Sequence, residues 1–575
     1  GLRGADGNEA LHRLVDGEPE ATPVLAAERL LELLGTRKEG PARFPPLSWR
    51  DANTLRVELE DRVVLHTIGA PDVTTILSWP QPNATAPFRE PAHAIAPGDR
   101  HCLVRKDHQL WLAAADGRLR QLTHDGGPDI VYGGAAHRAE FGIDRGLFWS
   151  ADGRFAAFYR EDQRGVDAHP FADLRSAPPA PRHGRYPMAG RRHARTAVAI
   201  LDTQDEQVTW LEQDPDEDVY WAGIGFAPDG TVVVSRVSRG QDQLELVRHD
   251  SRTGKRLAVL LREHDREWIE PEHAPTFLRD GRFLWWSSHS GHRHLWLVAA
   301  DGTPQNAVTK GAFDVQQLLA VTPDESAVLF AASGEDPRQR HLFAATLDGS
   351  EVRQITRERG THEASLAPDA QRAFVVWSNL TTRPSARLVD VASGAVTKLP
   401  EAKDPLQGFV LPKQRLFQLS IDDDTVLYGH VALPPDLQPG QRAPVLLYVY
   451  GGPHVQLVTD RWLGGAPLWL QALAGEGFVV CRLDNRGTPN RGIEFEQAVH
   501  RRLGVLEVED QLRAVQWLAQ QPFVDPSRIG VHGWSFGGYM TLRLMLLAPE
   551  TFACGISGAP VTDWALYETG YTERY

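Results

Sequence analysis

RIGVHGWSFGGYMTLRLMLL, residues 528–547, reads as an apolar strand, a glycine-rich turn and an apolar helix. Within it Gly533-Trp534-Ser535-Phe536-Gly537 fits the pattern G-x-S-x-G, flanked by the strand and the helix that the pattern requires. A strand that turns this sharply into a helix lifts the serine hydroxyl above the sheet edge. Glycines flank the serine because the turn is tight and strained. The hydroxyl is then open to a histidine base, and the Phe536 N–H points at the oxyanion that forms on attack. The stretch predicts a nucleophile, Ser535, on a strand–helix elbow.

The surrounding sequence has the same texture. APVLLYVYGGP (443–453) and GFVVCRLDNRG (477–487) are buried strands that end in polar or glycine turns. VEDQLRAVQWLAQQ (508–521) carries Val508, Leu512, Val515 and Leu518 at helical spacing. Strands alternating with helices predict a parallel sheet covered on both faces, from about residue 405 to 575. Tyr450 stands at the C-terminal edge of its strand, where sites form in such sheets. Its hydroxyl either donates to an oxyanion or packs in the core. The final stretch clusters Trp564, Tyr567, Tyr571 and Tyr575, which suits either aromatic walls around a flat ring or core packing.

Residues 45–404 differ. Short strands alternate with turns at Asp152, Asp229, Asp280, Asp324 and Asp369, the last four spaced by 51, 44 and 45 residues. A second set, at Asp116, Asp301 and Asp348, lies out of phase. Asp-Gly between alternating strands is a strong hairpin signal, and this period is that of β-propeller blades. The region has room for seven or eight blades; the alternative is an array of β-sandwiches. In the lead-in, residues 1–44, Thr22 as cap, Pro23 in the first turn and Gly35 as terminator predict a helix.

With 575 residues, 42% hydrophobic and 24% charged, the chain has the composition of a globular protein. A formal charge of −14 argues against general nucleic-acid binding. Cys102, Cys481 and Cys554 share no metal-like spacing and form no disulfide framework. No apolar run is long enough to span a membrane. The opening GLRGADGNEA has no signal pattern, so the chain is either cytoplasmic or begins after a removed signal. His289, His292 and His294 fall on a propeller turn and are not expected to hold a metal. The 40 residues after Ser535 contain no histidine; His454 and His500 precede it, and His532 points into the sheet packing. The chain thus shows a nucleophile without its base.

YVYGGP, DNRG, RRLGVLEVEDQ, GWSFGGYM and APVTDW…YTERY follow one another as in the prolyl oligopeptidase family of serine peptidases, and the chain resembles its dipeptidyl peptidase IV branch. The resemblance implies an eight-bladed propeller capping an α/β-hydrolase domain, with the N-terminal helix packed on the hydrolase. It implies Ser535 as nucleophile, with its acid and histidine partners after residue 575, and Tyr450 and Phe536 as the oxyanion hole. Val561, Trp564, Tyr567 and Tyr571 would form a proline pocket. The family's dipeptidyl members bind the substrate's N-terminal ammonium with two adjacent glutamates. Here the matching segment AHRAEFGIDRGLFWS holds only Glu140, preceded by Ala139. Glu568 matches the glutamate that helps hold the N-terminus in prolyl tripeptidyl peptidases, so release of dipeptides and of tripeptides both stay open. Arg105 would hold a substrate carbonyl. Also implied are peptide substrates with a free N-terminus and proline at position 2 or 3, no metal or organic cofactor, a homodimer, and a periplasmic or secreted location. The competing readings are a catalytically dead propeller–hydrolase scaffold that binds a partner, and an endopeptidase or esterase lacking the ammonium clamp.

Overall fold

Each repeated aspartate makes the same local turn. Its Oδ1 accepts the main-chain N–H two residues on: Asp116 from Arg118, Asp152 from Arg154, Asp229 from Thr231, Asp280 from Arg282, Asp301 from Thr303, Asp324 from Ser326, Asp348 from Ser350 and Asp369 from Gln371, all at 2.9–3.2 Å. These Asx turns close hairpins between strands with buried apolar residues. The structure, a computed structural model, describes residues 2–3, 8–13, 22–36, 40–81, 92–214, 216–422 and 425–575.

Among the described residues between Leu47 and Lys398 the hairpins form seven antiparallel blades in a ring, not eight. Six are four-stranded, and the third has five strands because Ile130–Tyr132 and Leu147–Trp149 both pair with Phe155–Asp162. The segment after Asp162 adds no blade. It forms instead a two-stranded hairpin, Ala168–Asp173 with Ala180–Arg185, outside the blade sheets. Apolar clusters between adjacent blades hold the ring. One joins Val232, Val234 and Phe283 across the fourth and fifth blades, and another joins Leu295, Phe330 and Phe343 across the fifth and sixth.

The N-terminal helix departs from expectation twice. Thr22–Ala26 is a strand paired with Glu9–Arg13, and the helix begins at Ala27 with no side-chain cap, ending at Gly35 in the left-handed conformation. Pro23 sits opposite His12, beside a register shift, where a missing N–H is tolerated. The helix buries Leu30 and Leu34 against Leu55, Val57 and Val64 of the first blade, not against the C-terminal domain.

The C-terminal sheet has six strands: β1 (Lys413–Ser420), β2 (Val426–Leu433), β3 (Ala443–Tyr448), β4 (Val479–Asp484), β5 (Val524–Trp534) and β6 (Cys554–Gly558), in the spatial order β1-β2-β4-β3-β5-β6. β3, β4, β5 and β6 are parallel, and the first two strands are antiparallel additions that the sequence reading did not separate. The helices Leu506–Ala519 and Phe536–Leu547 contribute Val515, Leu518, Met540 and Leu544 to a core shared with Val445, Leu447 and Val531. Asp460, 1% exposed, fastens this domain to the last blade by accepting from Arg359 Nε at 2.5 Å and Leu380 N at 2.9 Å.

Candidate active site

Ser535 lies between β5 and the helix Phe536–Leu547 with φ 59 and ψ −119, a conformation that costs a non-glycine residue and recurs at functional turns. Its N–H donates to Gly558 O at 2.9 Å. The Phe536 N–H opens the helix, one of the four that have no partner within it. A Cβ on Gly537 would stand 2.2 Å from Val449 O, and one on Gly533 2.3 Å from the same oxygen. The elbow therefore accepts only glycine at both places. Gly537→Ala is expected to destabilise the fold by about 3 kcal/mol, the upper end for overpacking, read as a lower midpoint in a urea melt.

Tyr450 follows β3, its ring 5.9 Å from that of Phe536. A scaffold built from the quoted motifs sets its place. Arg486 donates two hydrogen bonds to Asp510, Gln511 Nε2 donates to Asn485 Oδ1 at 2.8 Å, and Asn485 Nδ2 donates to Gly451 O at 2.8 Å. Gly452 packs directly on Phe536, where a Cβ would come within 2.5 Å of the ring. Burial raises the Tyr450 hydroxyl above its ordinary range, helped by Tyr567 and Glu140, so it remains a neutral donor. Among the described residues no histidine hydrogen-bonds Ser535. His532 Nδ1 lies 2.7 Å from Ile556 O, and its ring packs near Tyr448 and Trp469.

The aromatic residues come together. Trp564 stacks on Tyr571 at 6.0 Å and meets Tyr567 edge-on at 6.0 Å, and Phe536 lies 5.7 Å away. The buried Trp564 Nε1 and Tyr571 hydroxyl have no hydrogen-bond partner among the described residues. Val561, part-buried, lies on the loop that leaves β6.

Glu140 and Glu568 come from different domains and converge at Gly570. A Cβ there would stand 3.1 Å from Glu140 Cγ and 3.2 Å from Glu568 Oε2. Glu140 is carried by a loop in which His137, Arg138 and Phe141 have φ of 53, 55 and 60, held by His137 N donating to Glu161 Oε1 at 2.9 Å. Glu568 is 5% exposed and accepts from Gly570 N at 2.9 Å and Tyr571 N at 2.5 Å. Burial, and then the Glu140 charge, push its carboxyl up to about 7 despite those bonds. Arg105 sits beside Gly133, on the approach to the Glu140 loop.

Sequence reading missed several residues here. Arg574, 2% exposed, donates to Gln241 Oε1 at 2.7 Å and lies 3.9 Å from Glu140 Oε2 and 3.8 Å from Glu270 Oε1. Its only signal was an arginine inside the aromatic run YTERY. Residues 187–190, at the end of the proline-rich insertion, run along the Glu568 segment. Thr569 N donates to Pro187 O and Ala189 N to Tyr567 O, both at 2.8 Å. Glu270, Glu272 and His454 bring ligand-type atoms within 4.8 Å of one another. Arg574 and Arg293 already face those carboxylates, so the group reads as an ion-pair network. His289, His292 and His294 part to Ser287, Asp314 and the Thr309–Gly311 turn.

Residues 52–384 match the family described as the dipeptidyl peptidase IV (DPP IV) N-terminal region, and 468–575 match the prolyl oligopeptidase family. The chain belongs to the prolyl oligopeptidase family, in its dipeptidyl peptidase IV branch. It is 27% identical over 509 residues to a "probable dipeptidyl peptidase 4" of Aspergillus flavus, covering 83% of this chain and 65% of the relative. A "probable dipeptidyl-aminopeptidase B" of Coccidioides posadasii is 28% identical, covering 83% and 56%. The chain thus spans a little under two thirds of the first relative and just over half of the second. Among solved structures, a "putative dipeptidyl aminopeptidase IV" of Bacteroides ovatus matches with a TM-score of 0.88 and 28% identity over 98% of this chain and 82% of that one. The dipeptidyl peptidase 4 of Porphyromonas gingivalis shares the fold at a TM-score of 0.80 and 24% identity, over 92% of this chain and 75% of that one. No helix among the described residues is long and apolar enough to cross a membrane.

Proposed function

We propose that the chain forms the substrate-binding and nucleophile-bearing part of a serine exopeptidase that releases short N-terminal peptides ending in proline. The observation that carries this is the meeting of Glu140 and Glu568 at Gly570, beside the aromatic group of Tyr567 and Tyr571. Two carboxylates there can accept charge-assisted hydrogen bonds from an ammonium. Their separation from Ser535 then acts as a ruler. The proline ring sits among Val561, Trp564, Tyr567 and Tyr571, and Arg105 holds a substrate carbonyl. Ser535 Oγ attacks the carbonyl after proline, its proton passing to a histidine base. Tyr450 hydroxyl and Phe536 N–H donate to the oxyanion, and the acyl-enzyme is hydrolysed in a second step. That base is not among the described residues hydrogen-bonded to Ser535, and the curated relatives are longer than the span they share with this chain.

The relatives' names favour dipeptides. Ala139 in place of a second adjacent acid, with Glu568 supplying the other carboxylate, favours tripeptides. Xaa-Pro and Xaa-Xaa-Pro amides with free amines decide between them. Cleavage of the first marks a dipeptidyl enzyme and cleavage of only the second a tripeptidyl one. Cleavage of neither, by protein whose mass includes a complete catalytic domain, overturns the enzyme reading in favour of a scaffold.

A further inference from the structure

The loop that carries Tyr450 runs on into the wall of a cavity of about 320 Å³ between the propeller and the C-terminal domain. Arg293, Arg338, Arg340 and Arg461 line it, against the carboxylates of Glu272 and Glu363. In a chain of net charge −14 a lining with this excess of guanidinium groups is out of character. Three of the four hydrogen-bond an acid: Arg338 grips Asp336 with two hydrogen bonds, Arg293 bonds Glu272 at 2.9 Å, and Arg461 bonds Glu363, which also pairs more loosely with Arg340.

Arg340 differs. Its Nη1 and Nη2 donate to the neutral side-chain oxygens of Gln316 and Gln317, at 3.0 and 2.6 Å. Its buried Nε has no hydrogen-bond partner, and the nearest carboxylate oxygen, from Glu363, lies at 3.5 Å. Burial draws this guanidinium below the ordinary arginine range, with Glu363 opposing and Arg461 adding to the effect. A planar fork bonded to uncharged amides gains when a carboxylate replaces them, because the acceptor then carries the opposite charge and takes two parallel bonds. The amides can turn, and those of Gln339, Gln456 and Asn490 also line the space; each already donates once, to Asp336, to Pro337 O and to Gln456 Oε1, and keeps a second N–H.

His454 joins this cavity to the aromatic group. Its ring lies 5.7 Å from that of Tyr575, which lies 4.8 Å from that of Tyr571. These rings are packed on one another, and the span they mark is about three extended residues long. We propose that the cavity binds a carboxylate of the peptide whose amine is held at Glu140 and Glu568, so that the protein selects short peptides by an acid as well as by a free amine. This rests on the peptide-binding reading above. The acid is either the peptide's C-terminus or an aspartate or glutamate side chain.

The test is calorimetric titration of Ser535→Ala protein, which binds without cleaving. The probes are proline-containing peptides of three to six residues, each as C-terminal acid and amide, and a matched set with Glu or Gln at each internal position. At one length or one position the acid is expected to bind about tenfold or more tighter than its neutral partner, the worth of a charge-assisted bond. A preference at the C-terminus identifies the terminal carboxylate, and one at an internal position a side chain. Arg340→Met and, independently, the more exposed Arg461→Gln are expected to bring the ratio near one. Equal binding of acid and neutral forms throughout, or a preference that survives both substitutions, overturns the proposal. The ammonium reading fails by a separate sign, an affinity that N-acetylation leaves unchanged.

Discussion

Tyr450→Phe is expected to lower kcat by about 10²–10³-fold, the usual effect of removing one oxyanion donor, and to leave KM nearly unchanged. In the proposed oxyanion role the hydroxyl meets charge only as the tetrahedral intermediate forms, so its loss would fall on kcat and kcat/KM together. The substitution keeps the ring that packs 5.9 Å from Phe536, and the Asn485–Gly451 bond that holds the loop is untouched. Burial keeps the hydroxyl protonated, so the deficit is expected at every pH at which the reporter is cleaved. Steady-state kinetics on a proline-amide reporter, with a melt to show an intact fold, measures it. A variant within a factor of about two of the parent would assign the oxyanion to other donors.

Glu140→Ala is expected to reduce kcat/KM for free-amine reporters by about 10–100-fold, the range for a hydrogen bond to a charged group. An endopeptidase or esterase of the same family would be spared. Glu568 adds a pH dependence. Burial and Glu140 raise its carboxyl from 4.5 to about 7, so in the empty site it is largely protonated at pH 6 and ionised at pH 8. Affinity for an N-terminal ammonium therefore rises through about pH 7, until the α-amine itself loses its proton near pH 8. For folding the sign is opposite. The folded state binds more protons than the unfolded state between about 4.5 and 7, so this group lowers stability as pH rises through that window. Glu568→Gln is expected to flatten both trends. Inhibition by a proline-ending product peptide, measured at pH 6 and pH 8, reads the first, and melts at the same two pH values read the second.

The elbow was legible because its chemistry is local. Gly533 and Gly537 are dictated by the Val449 carbonyl, and any strand–serine–helix turn of this kind carries the same spelling. The propeller was legible for a related reason: an aspartate with its Asx turn recurs in each blade from the second to the seventh. The repeats left seven or eight blades open and the eight rested on the family resemblance; among the described residues seven form, and the insertion after Asp162 pairs with itself and its end with Tyr567–Thr569. The first helix was placed too early because Thr22 and Pro23 suit a helix start as well as a strand edge, and pairing with Glu9–Arg13 decided between them. The convergence of Glu140 with Glu568 had no local signature at all. Nor had the bond between Arg574 and Gln241, 333 residues apart, which only the closure of one domain on the other brings together.

The measurement that tests the central claim most directly compares one proline reporter with its amine free and with it acetylated, using the parent protein and active-site titration of Ser535. A clamp at Glu140 and Glu568 predicts that acetylation lowers kcat/KM by at least about tenfold while Ser535 is labelled at the same rate in the absence of substrate. Equal cleavage of the two reporters would contradict it, because no ammonium would then be read.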